Sequence, residues 1–279
     1  MTAENEFYNF MRGAGIETTA PIIGNGRIQR AYVDGDKRGS KNLSYQLHVD
    51  GIPNGWFEHF RTGGRQLWKS DTPATPPTHQ QKAEYAAKRE RERLQQLEQY
   101  QQAAIVARKL AAQARPIQNQ HEHPYLIKKR MQPHTALILS GDLIIIFWNE
   151  QNEISTLQFI APNGEKRFLK GGKKRGAYAF IGTPTQRILI CEGFATAASL
   201  HEDTGNFCIV AGDAGNLEPV AKVIRQLWRE NNIVICGDND PVGIKAAKAA
   251  ALACNGAYLI PDEIGCDWND VLSGGDDDQ

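Results

Sequence analysis

The run RILICEGFATAASLHEDTGNFCIVAGDAGNLEPVAKVIRQLWRENNIVICGDND, residues 187–240, decides the fold. Three short apolar runs in it (RILIC, FCIVA, NIVIC) alternate with two segments of helical composition, 195–204 and 217–230. A fourth apolar run, AYLI (257–260), follows a third helical segment, 241–254. Strands that are apolar almost throughout are buried on both faces, and strands separated by helices pair in parallel, so the pattern predicts an α/β sheet covered by helices on both sides. Ligands of such open sheets bind beyond the carboxyl ends of the strands. There, RILIC leads into Glu192-Gly193, NIVIC-Gly237 into Asp238-Asn239-Asp240, and AYLI into PDEIG and then Asp267-Trp268-Asn269-Asp270. Acids therefore leave three of the four strands at one edge. Hard divalent cations bind through one or two carboxylates while keeping waters and substrate phosphates. Asp238 and Asp240 share a tight turn, and Glu192 on a neighbouring strand is placed to bridge or to accept a proton. Each acid also has an ordinary reading: Asp240 as the N-cap before Pro241, Asp267 as the cap of a last short segment, Glu192 as a solvated strand end. Taken together, their convergence favours a metal site formed by Glu192, Asp238, Asp240 and Asp267.

Upstream, the character changes. Thr135–Ser140, Leu143–Trp148, Thr156–Ile160 and Lys166–Leu169 read as strands, the last three joined as hairpins by EQNE and APNGE. Lys166, Arg167, Lys170, Lys173, Lys174 and Arg175 crowd around Gly171-Gly172. Cations on flexible glycines suit a phosphate backbone or a triphosphate, although an exposed hairpin kept soluble by charge has the same composition. Residues 115–182 hold ten basic and five acidic groups and residues 183–279 six and fifteen, so a chain with no net charge has a basic middle and an acidic end.

The pattern Glu192-Gly193 after an apolar strand, then Asp238-x-Asp240, then Asp267 before Asn269-Asp270, resembles the topoisomerase–primase (Toprim) signature. CEGFATAASLHEDTG and AGDAGNLEPVAK resemble the versions in primases of conjugative plasmids, phages and satellite phages. LQFIAPNGEKRFLKGGKKRGAYAFIG (157–182) is similar to the basic subdomain preceding Toprim in bacterial-type primases, and residues 26–68 more weakly resemble the N-terminal region of the mobile-element enzymes. The resemblance implies a DNA primase that joins ribonucleoside triphosphates on single-stranded DNA, with two or more Mg²⁺ or Mn²⁺ ions on the four acids. It implies Glu192, Asp238 and Asp240 as catalytic, Arg167 and Lys173 or Lys174 as facing nucleotide, and a replicative helicase as a further partner. Two departures stand out. Chromosomal primases carry a further acid where this chain has Thr196, and they carry an N-terminal zinc module for which this chain has no cysteines. No zinc is expected. A Toprim-type nuclease and a non-catalytic DNA-binding or helicase-loading module are the rival functions.

Residues 1–70 read as a small α+β domain with strands near Arg27–Val33, Ser44–Val49 and Gly55–Arg61. Its aromatics (Tyr32, Tyr45, Trp56, Phe57, Phe60 and Trp68), interleaved with basic residues, suggest single-strand binding, though most are expected to be core. DTPATPPTHQ (71–80) reads as a linker and 81–114 as a long bridging helix with a thin apolar stripe, so the domains are 1–70, 71–114, 115–182 and 183–279. His121, His123 and His134 fit no zinc spacing and are expected on the surface. The five cysteines lie between Cys191 and Cys266 without C-x-x-C pairing, and MTAENEFYNF lacks the features of a signal peptide. With no apolar stretch of membrane-spanning length, a cytoplasmic protein without membrane contact is expected.

Overall fold

The computed structural model describes residues 2–61, 63–71 and 79–274, so most of the expected linker and the acidic tail Asp276–Asp278 lie outside the described residues. The chain divides into two compact units, Met1–Arg93 and Leu94–Gln279.

In the first unit, helix α1 (Ala3–Gly13) starts at Thr2, whose hydroxyl accepts from the Asn5 amide, and buries Phe7 and Met11. They pack on an antiparallel sheet of β1 (Gln29–Ala31), β2 (Leu43–His48), β3 (Asn54–His59) and β4 (Arg65–Lys69), in that order. Strand alternation sends Leu43, Tyr45, Leu47 and Phe57 inward. Gly55 is required where β3 pairs with β2 opposite Leu47, because a Cβ there would stand 2.4 Å from the Gln46 carbonyl oxygen. Strand β4 had no signal in the sequence: RQLWK has one apolar side chain, Trp68, on the core and the rest exposed. Helix α2 (His79–Gln113) runs from the first unit into the second. As its thin stripe implied, Ala103 and Ala107 are its only buried residues among the described ones.

The second unit opens with β5 (Arg115–Pro116), the short helix α3 (Pro124–Lys128), β6 (Leu137–Leu139), β7 (Asp142–Trp148), β8 (Ile154–Ile160) and β9 (Lys166–Phe168). The five strands form one antiparallel sheet in chain order. Then come β10 (Ala179–Ile181), β11 (Arg187–Cys191), α4 (Phe194–Thr204), β12 (Phe207–Val210), α5 (Ala214–Leu227), β13 (Asn232–Cys236), α6 (Pro241–Cys254), β14 (Ala257–Leu259) and α7 (Trp268–Leu272). The second sheet has the order β10-β12-β11-β13-β14, parallel except for β10, which pairs antiparallel with β12. Leu189, Cys191, Cys208 and Val210 face α4 and Trp268 of α7, while Ile188, Ile190, Ile209, Ile233 and Ile235 face α5 and α6. The sheet is thus covered on both sides, as its apolar runs require. One core joins Ile117, Leu126, Leu143, Phe147 and Ile160 of the antiparallel part to Leu189, Phe194 and Cys236 of the parallel part. His123 departs from expectation. It is 1 % exposed and caps α3, its Nδ1 accepting from the Tyr125 amide while Nε2 meets the Gly141 carbonyl, and burial lowers its pKa.

Candidate metal centre

Each acid at the rim is fixed by backbone just past its strand. The Ala211 and Gly212 amides donate to the Cys191 and Glu192 carbonyls at 2.8 Å, extending the β11–β12 ladder beyond the strands. Gly212 holds φ +93° beneath Phe147 and Phe168, where a side chain would clash, and turns the chain into Asp213. On the other side, Gly237 donates to Leu259 and Asn239 to Cys266, and Gly265 donates back to Asn239. The turn carrying Asp238 is thereby tied to the turn leading into Asp267. Buried Asn269 donates to the Lys129 carbonyl and to Ser199 Oγ, both at 2.8 Å, and so clamps α7 between α3 and α4.

These turns surround a cleft of about 190 Å³ lined by Glu192, Asp213, Asp238 and Asp267 together with Lys129, Lys166 and Tyr125. Glu192 Oε1 and Asp238 Oδ1 are buried and have no hydrogen-bond partner among the described residues. Buried anions without partners are expensive, and their protonation shows it. Burial first, then Asp238, Asp240 and Asp213, push the Glu192 pKa up to about 7. Burial first, then Asp267 and Asp240, push Asp238 up to about 6, with Lys166 opposing. Tyr125, 4 % exposed, also keeps an unpartnered hydroxyl, and burial lifts its pKa to about 12.

Cations face the acids across the cleft. Lys166 is exposed along its stem, but its ammonium group reaches over Gly193, where a Cβ would stand 3.7 Å from Nζ. Desolvation, followed by the charge of Lys129, lowers its pKa against the pull of Asp267, Asp238 and Glu192. Lys129 lies 3.1 Å from Asp270 and 3.7 Å from Asp267. Burial works to lower its pKa, and the two aspartates outweigh it and hold it above the ordinary value.

The sequence-derived residues separate accordingly. Glu192, Asp238, Asp267 and Lys166 meet in the cleft. Asp240 stands outside its lining, capping α6 with Oδ1, which accepts from the Val242 and Gly243 amides at 2.7 Å, though its charge is felt by Glu192 and Asp238. Arg167 is turned the other way. It is 2.7 Å from Asp142 and stacks 4.3 Å over Phe159, its cross-strand partner, since neighbours on a strand point to opposite faces. Lys170 and Lys173 are exposed and outside the lining, while Lys174 pairs with Asp213.

Sequence reasoning missed Asp213, Lys129 and Tyr125. Asp213 had a signal, because FCIVA ends in Gly212-Asp213 as the other strands end in acids, so all four strands deliver one. Lys129 and Tyr125 come from a five-residue helix whose sequence, PYLIK, carries no chemical motif.

The donors in the lining are hard oxygens, without histidine or cysteine, and two of those oxygens lack partners. That set fits Mg²⁺ or Mn²⁺ and does not suit zinc. Among the described residues, no set of three His, Cys, Asp or Glu side chains is already arranged to hold an ion. The acids ring the cleft without closing on one point, and Lys129 supplies positive charge at Asp267.

The Toprim domain family matches residues 187–277, the span that carries all four acids. Residues 187–277 form a Toprim domain. Two DNA primase TraC proteins of Escherichia coli are each 30% identical to the chain over 285 residues, covering 94% of it and 26% and 20% of their own lengths. The chain thus spans about a quarter of the length of the curated relatives it matches. Among solved structures, the primase fragment of the bacteriophage T7 primase-helicase protein is similar at 16% identity, covering 50% of this chain and 63% of that one with a TM-score of 0.39. The Aquifex aeolicus primase (zinc-binding and RNA polymerase domains) is similar at 11% identity, covering 98% and 82% with a TM-score of 0.40. Around the Toprim domain, no helix of the described residues is long and apolar enough to cross a membrane.

Proposed function

We propose that residues 94–279 are a primase core that joins ribonucleotides on a single-stranded DNA template. The observation that carries the reading is the pair of buried carboxylate oxygens without partners, Glu192 Oε1 and Asp238 Oδ1, facing Lys166 across one cleft. No group among the described residues answers those oxygens, and divalent cations would. Bound there, Mg²⁺ or Mn²⁺ ions would lower the pKa of the attacking 3′-hydroxyl and neutralise charge on the transferring phosphoryl group. Glu192 and Asp238 are their principal holders. Asp267 is a third, and Asp240 contributes its field from the α6 cap. Glu192, kept ionised by the cations, would also accept the hydroxyl proton. Lys166 and Lys129 would hold the triphosphate opposite the metals, and Lys174 would follow if released from Asp213. Lys170 and Lys173, exposed on the neighbouring loop, are placed to contact template phosphates. The similarity to the TraC primases supports the same reading, with a replicative helicase as a further partner.

The full chain, given single-stranded DNA, ribonucleotides and Mn²⁺ or Mg²⁺, should make labelled oligoribonucleotides, and Asp238→Asn should make none. Undiminished synthesis by that variant defeats the proposal. DNA cleavage with metal and no nucleotide would assign the same cleft to a nuclease.

A further inference from the structure

We propose that the uncovered face of the four-stranded sheet in residues 1–93 binds single-stranded nucleic acid through stacking on Trp56 and Phe60. One face of this sheet is spent on the core beneath α1, with Leu43, Tyr45, Leu47 and Phe57 buried. The residues of opposite parity stand on the other face: Trp56 opposite Leu67, Glu58 opposite Arg65, and Arg30 opposite Ser44. Of these, Arg30, Arg65 and Leu67 are exposed, Trp56 and Glu58 half-buried, and Ser44 buried beneath its neighbours. Leu67, on β4, is 76 % exposed, and Phe60, in the turn just past β3 with its amide donating to the Asn42 carbonyl at 3.0 Å, is 66 % exposed. Ordered apolar groups left open together on a sheet mark an interaction surface.

Charge and stacking geometry select the partner. Glu58 is the only acid on the four strands, against Arg30, Arg65 and Lys69. Both arginines lie over rings, with Arg65 Cζ 3.8 Å from the Trp56 centroid and Arg30 Cζ 5.4 Å from that of Phe60. Trp56 is further fixed by its Nε1, which donates to Gln46 Oε1 at 2.8 Å. Flat rings alternating with guanidinium planes offer successive stacking surfaces to bases, while the same cations meet phosphates. A duplex hides its base faces, so the ligand is single-stranded. This inference does not rest on the polymerising role of the acid cleft, which belongs to the other unit.

The full chain is titrated with fluorescein-labelled (dT)15 and (rU)15, about the upper site size of a single-strand-binding fold, in EDTA without nucleotides, so the outcome is independent of metal chemistry. Anisotropy should report binding that weakens with salt, and tryptophan fluorescence should be quenched. The two oligomers distinguish DNA from RNA as the preferred strand. Trp56→Ala should weaken binding roughly 5- to 100-fold, the span of one lost stacking contact. Trp56→Phe should keep binding and lose most of the quench. Arg30→Glu with Arg65→Glu, both exposed and harmless to the core, should weaken binding at least ~10-fold and flatten the salt slope by about 1.4, two phosphate contacts' worth. Wild-type affinity and salt slope in that double variant would overturn the proposal. So would absence of oligonucleotide binding together with a dimer that Leu67→Glu dissociates, which would make the face a protein interface.

Discussion

Replacement of Asp238 by asparagine removes one negative charge from a crowded, half-buried cleft and preserves shape. The magnitude follows from the protonation of the wild-type group. Its pKa stands at about 6 against an ordinary 3.8, a difference of about two pK units, or about 3 kcal/mol at 1.36 kcal/mol per unit. Water reaches part of the cleft, so about half of that, roughly 1–2 kcal/mol, is a fair expectation. For the sign, the unfolded chain releases this proton near pH 4 and the folded one near pH 6. Between those values the native state binds more protons, and stability falls as pH rises. Without metal, the asparagine variant should already be ahead at pH 5, by about half of the full difference, because the unfolded wild type has released the proton there while the folded one keeps it; the two would match only at about pH 3. At pH 8 it should melt a few degrees higher, since 1 kcal/mol moves the midpoint of a unit this size by about 2–4 °C. Metal reverses the order. At a hundred times its dissociation constant, a ligand adds about 2.7 kcal/mol to the wild type, a gain the variant should lose. Melting curves at pH 5 and pH 8, in EDTA and in Mn²⁺, read all four conditions. A variant less stable than wild type at both pH values, with an undiminished response to Mn²⁺, would refute the reasoning.

Two further changes test how the cleft is built. A Cβ at Gly243 would stand 2.6 Å from the Asp238 carbonyl oxygen and 3.2 Å from Glu192 Oε1, so Gly243→Ala should displace both acids without altering any charge. Primer synthesis should fall roughly 10- to 100-fold and the circular dichroism melt should drop by a few degrees, since the overlap is with backbone that must shift, and full activity would show that the cleft tolerates the shift. Asn216 is buried, donates to the Lys174, Ala177 and Ala211 carbonyls and accepts from the Gly176 amide, pinning the basic loop to α5. Asn216→Ala should cost about 3 kcal/mol in urea unfolding, and a loss under about 1 kcal/mol would mean the loop is held by other contacts.

Legibility in the sequence tracked distance along the chain. The runs RILIC, FCIVA, NIVIC and AYLI announce buried strands because Ile, Val and Leu in unbroken series have no solvent face to offer. The acids after them announce the working edge because a strand's end is a position along the chain as well as in space. Strand β4 escaped notice because one core contact, Trp68, leaves no alternation to read. His123 was read as a surface group because its burial depends on the Gly141 carbonyl, eighteen residues away.

The residues alone determined the parallel sheet, its helical cover, the Toprim pattern and the rim on which Glu192, Asp238 and Asp267 stand, since each depends on periods and spacings within a few residues. Only the tertiary structure decided which cations oppose them. It turned Lys166 into the cleft and Arg167 away, brought Lys129 and Tyr125 from a separate helix, spent one oxygen of Asp240 on a helix cap, and left Trp56 and Phe60 on an open face while Tyr45 and Phe57 went to the core. Side-chain direction and through-space charge arise from packing between segments far apart in sequence, and no local pattern encodes them.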